Sequence, residues 1–418
     1  MLATVRERFL TALQYRDYRT LWMASVCAGA AAWALIVARG WLAFQMTDSS
    51  FWVGLVTFMA MAPRFFATPI TGFLADRFDR RTLLSWTYAL ELANNAVLAT
   101  VAMLGLLTSP WLLVLLALTN GILRAAQQPA TQALVPNLVP RQHLPNAVAL
   151  NEATMQGSRF VGPLAIAPLL GLVDVAAAFW LCSAFYAAAL VLTLRIATRS
   201  RGEMDRSRSF GRNFAAGFVY VYQHPQVLAM VLLALAHCSL TMSYESMLPA
   251  ISQEKLAAGS VGVSYLMAGV GAGALTTAIF VAGVRNQGIR GWLFLVFGVS
   301  SGLGPIGMAL SSSRELSVLA AVAMGVNQAG FMVITHIIIQ SIVPDAVRGR
   351  VTGVYSMHVG GSMAVANLTN GTLADVFNAP VVMAVGGIIF TVAIVLSVGH
   401  ATVRRIYFPR VAITAPVA

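Results

Sequence analysis

The chain has 418 residues, of which 58% are hydrophobic and 10% charged, against about 25% charged in soluble domains. Such a chain belongs in lipid. Its formal net charge of +12 does not point to nucleic acid, because the basic residues collect in one set of loops, as membrane topology demands. Three cysteines, Cys27, Cys182 and Cys238, all lie in apolar runs, which leaves no disulfide framework and no metal-ligand spacing.

The first segment, residues 1–19, is read as cytoplasmic. Arg6, Glu7, Arg8, Arg16, Asp17 and Arg19 interrupt it, so it is not a cleavable signal. Val5–Leu13 is weakly amphipathic and suits the inner membrane surface. Twelve apolar runs follow, near 20–45, 51–75, 82–107, 111–134, 144–171, 175–195, 226–250, 261–284, 291–311, 316–342, 351–374 and 381–403. Each is long enough for a bilayer core, which takes about 20 residues. They are numbered here as spans 1 to 12. An even count puts both ends on one side. Of the 27 basic residues, 21 fall on that side, two (Lys255 and Arg314) on the other, and four inside spans. That asymmetry predicts cytoplasmic termini. Trp41, Trp52 and Trp111 at span ends suit an interfacial belt.

The Arg-, Ser- and Gly-rich stretch 196–225 reads as a cytoplasmic linker between a first bundle (20–195) and a second (226–403), with 404–418 as a tail. The halves repeat. Gln132-Ala133-Leu134-Val135-Pro136-Asn137 ends span 4, and Gln340-Ser341-Ile342-Val343-Pro344-Asp345 ends span 10, 208 residues later. Matching span number, side and spacing indicate duplicated halves, as in many secondary transporters.

The turn between spans 2 and 3 reads Gly72-Phe73-Leu74-Ala75-Asp76-Arg77-Phe78-Asp79-Arg80-Arg81. It resembles the G-x-L-A-D-R-x-G-R-K signature of the major facilitator superfamily, with Asp79 for Gly and Arg81 for Lys. Three further stretches are similar to the branch of bacterial drug-efflux and enterobactin-exporter-like proteins: Arg16–Trp22, Gln128–Pro136 and Leu144–Asn151. The resemblance covers nearly the whole chain. It implies an all-α integral membrane fold of twelve helices in two pseudo-symmetric six-helix bundles, rocking about a central site. Superfamily exporters often carry G-x3-G-P-x2-G-G in span 5. Here Ser158 and Ile166-Ala167 replace glycines, while Gly162-Pro163 survive as candidate packing residues.

The charged candidates follow. Asp76 at the end of span 2 can pair with arginines and with the positive start of a helix. The resemblance places that helix at the start of span 11, near Arg348-Gly349-Arg350. Gly72, Asp76, Arg77, Arg80 and Arg81 thus form a candidate cytoplasmic gate, although the arginines could equally be topology anchors. Charges inside spans are costly and count as functional candidates. At 1.5 Å rise per residue, Glu91 and Glu152 lie roughly 12–14 Å from the inner surface, and Arg64 and Arg124 roughly 15–17 Å. Burial favours a neutral carboxyl and a nearby guanidinium favours the carboxylate. These four are therefore candidates for proton coupling, or for a permanent charge network. Arg39 and Glu245 both lie roughly 28 Å up and are a candidate outer gate, unless each snorkels into water. Arg159, roughly 22 Å along span 5, has no acid partner in its half. It is a substrate-site candidate for an anionic or carbonyl-rich ligand, or a structural arginine. Substrate contacts could also come from Trp33, Phe58 and Tyr244, but most aromatics in spans face lipid or pack, and no role is assigned to these three.

Other patterns carry no function. Gly269-Val270-Gly271-Ala272-Gly273 lies in an apolar span and reads as helix packing. Asn367-Leu368-Thr369 and Asn370-Gly371-Thr372 match a glycosylation pattern but sit in span 11. His237, His336 and His358 are scattered, His237 alone being a possible proton site. No catalytic constellation, cofactor motif or metal site is expected. The expectation is a monomeric secondary transporter of the bacterial inner membrane. It exports a small amphipathic molecule by alternating access, driven by protons, with no nucleic-acid partner. An uptake symporter, a lipid flippase and a non-transporting scaffold or sensor are the alternatives.

Overall fold

The computed structural model describes residues 11–63, 65, 78–200, 210–281 and 286–408. It is all-helical among the described residues. The spans run Arg16–Thr47, Ser50–Met61 (the described part of span 2), Arg80–Met103, Pro110–Leu134, Leu144–Leu172 and Val175–Leu194 in the first half. In the second half span 7 begins at Pro225, and spans 8 to 12 are Gly259–Val281, Gln287–Leu310, Arg314–Ile342, Asp345–Phe377 and Ala379–Ser397. Eight described helices are long and apolar enough to cross a membrane. Spans 3, 5 and 11 fall short of that measure because they carry polar residues such as Glu91, Asn95, Arg159 and Asn367. Such helices are stable in lipid only where neighbours cover their polar faces.

The chain ends of the spans define two faces. One holds the charged turn at residues 78–81 and is called the basic end; the other is the far end. At the basic end the sequence forms local staples. Asp79 caps span 3 by accepting from the Thr82 amide at 3.0 Å. Its other carboxyl oxygen accepts from the Ser200 amide at 3.0 Å. Arg80 donates to the Ala133 carbonyl and Ser200 Oγ, both at 2.9 Å, and Arg81 to the Leu194 carbonyl at 2.6 Å. Asp17 holds the same segment through the Ala197 and Thr198 amides. Arg80 and Arg81 therefore tie span 3 to spans 4 and 6 and to the start of the linker, all in one half. Gly72, Asp76 and Arg77 lie outside the described residues.

The linker is not wholly irregular. Phe210–Gln223 is a helix packed against span 11. Its Phe218 and Val221 repeat at helical spacing, and Val221 is fully buried. Gly217 brings it against the Arg350 backbone. Beyond span 12 a second short helix, Ala401–Tyr407, takes up the start of the expected tail and docks on span 9.

The halves meet along two seams, span 2 with span 11 and span 5 with span 8. Their cores explain where that contact is tight. One apolar core runs through the first half and continues into the far-end residues of the second, including Leu266, Met324, Ala374 and Met383. The second half keeps a separate core toward the basic end around Met230, Phe294, Phe331 and Phe390. The two bundles thus share one interior at the far end, which closes that mouth.

Candidate functional site

Span 7 does not run straight through. Pro225–His237 is α-helical, Cys238–Met242 loosens into a π-turn, and the chain leaves helical geometry at Ser243, with φ −90° and ψ 66°. Pro249 supplies a cause. A helical proline lacks the amide that would reach residue 245 and crowds that carbonyl. The freed backbone groups find partners on spans 10 and 11. Gln328 donates to the Thr241 carbonyl at 2.7 Å. Asn370 donates to the Ser243 carbonyl at 2.8 Å, and Asn367 Oδ1 accepts from the Ser246 amide at 3.2 Å. The asparagines that match glycosylation patterns are clamps on this break.

The break presents Tyr244 and Glu245 to the other half. Glu245 Oε1 lies 3.8 Å from Arg159 Nη2 of span 5, and Asn367 donates to Glu245 Oε2 at 3.1 Å. Arg159 hydrogen-bonds the Tyr244 hydroxyl. Its guanidinium carbon sits 4.7 Å from the Trp33 ring centroid and 5.6 Å from that of Tyr244, within cation–π range. Arg159 and Glu245 are 5% and 3% exposed. A 3.8 Å separation is long beside the roughly 2.7–2.9 Å of a hydrogen-bonded ion pair. The two charges attract without being locked. Arg159 Nε, Glu245 Oε1, Ser158 Oγ and Ser246 Oγ are buried with no hydrogen-bond partner among the described residues.

This geometry corrects one expectation and completes another. Arg39 does not meet Glu245. Arg39 lies in the first bundle and donates to Asn95 Oδ1 at 3.0 Å. Its long side chain leans toward the helix N-terminus, below the height of its own Cα, so counting residues overstated its depth. Arg159, which lacks an acid in its own half, finds one in the other.

A second polar cluster fills the first bundle. Glu91 Oε2 accepts from Asn120 at 2.6 Å and from Asn95 at 3.3 Å. Through Asn95 it is linked to Arg39. Arg124, one turn beyond Asn120, adds a second positive charge within electrostatic reach. A cavity of about 10 Å³ touches Arg39, Thr57 and Asn120, room for roughly one water. Glu152 stands apart from this cluster. It is exposed and has no hydrogen bond or ion pair among the described residues. Equal depth with Glu91 did not place it there, because it lies off the buried stripe of Ala147, Ser158, Gly162 and Ile166 on span 5. Arg64 lies outside the described residues. Gly162 faces the Ala30 backbone of span 1, where a side chain would collide, and Pro163 beside it is buried.

His237 is not part of either site. Its Nε2 is 2.6 Å from Ser301 Oγ, among the rings of Phe331 and Phe390 in the second half's own core. Phe58 makes no ring contact with the Arg159 cluster.

Two helical bundles joined along two seams, with a broken span and a charge pair between them, define a membrane transporter of the major facilitator kind. Comparison with known proteins agrees. The family described as transmembrane secretion effector matches residues 9–406, and the chain belongs to that family within the major facilitator superfamily. A staphyloferrin A transporter of Staphylococcus aureus is 20% identical over 351 residues, 82% of this chain and 86% of that protein. The enterobactin exporter EntS of Citrobacter koseri is 24% identical over 321 residues, 75% of this chain and 74% of that protein. Among solved structures, a mutant of the peptide transporter POT superposes with a TM-score of 0.75 at 11% identity, covering 93% of this chain and 95% of that one. A mutant of the nucleoside transporter NupG gives 0.73 at 12%, covering 91% and 99%. The protein is a multi-pass membrane transporter of small molecules and not an enzyme.

Proposed function

We propose that the protein is a proton-coupled exporter of a small amphipathic molecule, of the siderophore or secreted-metabolite kind, working by alternating access. In this reading the basic end is cytoplasmic, both termini with it, the membrane is the bacterial inner membrane, and the working unit is a monomer. The observation that carries the proposal is the loose Arg159–Glu245 pair at the break in span 7. It is buried, it spans the two halves, and each partner keeps a buried polar atom, Arg159 Nε and Glu245 Oε1, with no hydrogen-bond partner among the described residues. Each such group costs about 1–3 kcal/mol when left unpaired, so groups of this kind are expected to find partners on a substrate or in another state. Trp33 and Tyr244 add flat apolar surface beside the charge. The two relatives named for staphyloferrin A transport and enterobactin export support the substrate class.

Glu91 is the proton-coupling carboxylate of this reading, since it is buried among groups that favour each of its charge states. Asp76 with Gly72 and Arg77 is the cytoplasmic gate. The test is metabolite profiling of a deletion strain and its complemented parent. Export predicts a compound that is lost from the medium, retained in cells, and restored to the medium by the wild-type gene but not by one encoding Arg159→Gln. A compound that instead fails to enter cells would replace this reading with uptake.

A further inference from the structure

Span 2 begins at the far end without a cap of its own. Ser49 precedes the first helical residue, Ser50, yet makes no side-chain bond to its own helix. The cap comes from the opposite half. Asp375, near the end of span 11, accepts from Ser49 Oγ at 2.5 Å, from the Ser50 amide at 2.6 Å and from the Phe51 amide at 3.1 Å. The two amides are donors that an N-terminal helix turn leaves open, and a carboxylate is the group that satisfies them best. Below the cap the two spans approach at backbone distance. A Cβ on Gly54 would lie 2.6 Å from the Asn367 carbonyl, and one on Gly371 would collide with that of Ser50.

The other seam is closed differently. There Ser260 Oγ donates to the Leu170 carbonyl at 3.2 Å, and Gly171 lies against Val261. That contact is neutral and weaker than a charge-assisted cap. When the halves part at this end, Asp375 must leave the span 2 terminus and its three donors must turn to water. We infer that Asp375 is a latch, a positioning residue whose attachment to the start of span 2 sets the balance between closed and open states of the far mouth. The inference rests on the alternating-access reading but not on the direction of transport, the substrate or the coupling ion.

The test reads closure on the seam that Asp375 does not touch. Cysteines replace Leu170 and Ser260, and a protease site is placed in the linker, so that cleaved halves stay joined only when crosslinked by oxidation. Asp375→Ala should slow crosslinking roughly fivefold, the loss expected for removing a helix cap. Ser50→Pro should do the same by a different route. Proline is favoured at the first helical position, and Ser49 already has the extended backbone, φ −140° and ψ 126°, that a following proline needs. The amide donor to Asp375 is lost, together with the buried Ser50 hydroxyl. The double variant should be no slower than either single one. Variants are compared after eluting from size exclusion as wild type does. Wild-type crosslinking in either such variant, or additive losses in the double, overturns the latch. Because no substrate enters the assay, it fails or succeeds separately from the exporter assignment.

Discussion

Removing one member of the Arg159–Glu245 pair should harm the protein more than removing both. At the observed 3.8 Å and an effective dielectric constant of about 20, the attraction is about 4 kcal/mol. Arg159→Gln leaves Glu245 buried with Asn367 as its donor, and the cost of an uncompensated buried charge is about 3–5 kcal/mol. Glu245→Gln strands the guanidinium in the same way, relieved in part by the rings of Trp33 and Tyr244. Scaling the usual dependence of melting temperature on stability to a chain of this length gives a fall of roughly 4–8 °C for each single variant. The double variant should return to within about 2 °C of wild type, because neither charge remains to be compensated. The assay is apparent melting of detergent-purified protein at one fixed scan rate, since unfolding of such proteins is irreversible. Transport should be absent from all three variants, the stable double included, which separates the role in transport from the role in folding. Single variants that melt like wild type, or a double that loses the sum of both, would refute the reasoning.

Two predictions concern protons. Glu91→Gln should keep the bundle folded, because Asn95 and Asn120 remain as hydrogen-bond partners. In proteoliposomes it should still let substrate run down its own gradient but no longer drive it uphill when a proton gradient is imposed; persistent uphill transport removes Glu91 from coupling. At the far mouth, partial burial and then the charges of Asp48 and Asp375 hold the Glu254 carboxyl above its usual range. A raised carboxyl means that the closed form prefers Glu254 protonated. Closure should therefore strengthen as pH falls from about 7 toward 5 and weaken as it rises. The neighbouring cations do not offset the acids directly, since Lys255 donates to the Ala309 carbonyl and Arg314 to the Leu256 carbonyl. Glu254→Gln should raise the Leu170→Cys/Ser260→Cys crosslinking rate at pH 7 and reduce the gap to wild type on acidification. A gap that stays constant across that range would count against the acid cluster.

The twelve spans and the two halves were legible because apolar length and loop charge are one-dimensional properties. So were the costly residues themselves: Arg39, Glu91, Arg159 and Glu245 each stand out in an apolar run. Their partners were not legible, for three physical reasons. Depth counted along a helix says nothing of which way a side chain faces, which is how Glu152 was grouped with Glu91. A long side chain works some distance from its own Cα, which is how Arg39 was matched to the wrong acid. Contacts between the halves depend on the tertiary seam, which is why Arg159 looked unpaired. The break in span 7 did have a sequence signal. Pro249 sits four residues after Glu245 in a run otherwise read as one helix, and the local cluster of Ser243, Glu245 and Ser246 is polar enough to tolerate an interruption.

The repeat explains why the charge pair sits where it does. Arg159 and Asn367 are 208 residues apart, the offset of the duplicated halves, and both reach Glu245. Asn120 and Gln328 share the same offset, and each sends its amide into the core of its own half, one to Glu91 and the other to the broken span 7. In a duplicated fold, equivalent residues from both halves can meet one group only near the pseudo-symmetry axis. Glu245 occupies such a place, whereas its own equivalent, Val37, is a buried apolar residue. The first half thus carries the cation and no acid at the axis, and the second half carries the acid and an amide. Had the halves stayed identical, like charges would face each other across the seam and repel. Because the halves differ at these positions, the contact is instead a pair of opposite charges. In the alternating-access reading proposed above, tilting of the halves is coupled to whichever ion or substrate takes a partner's place.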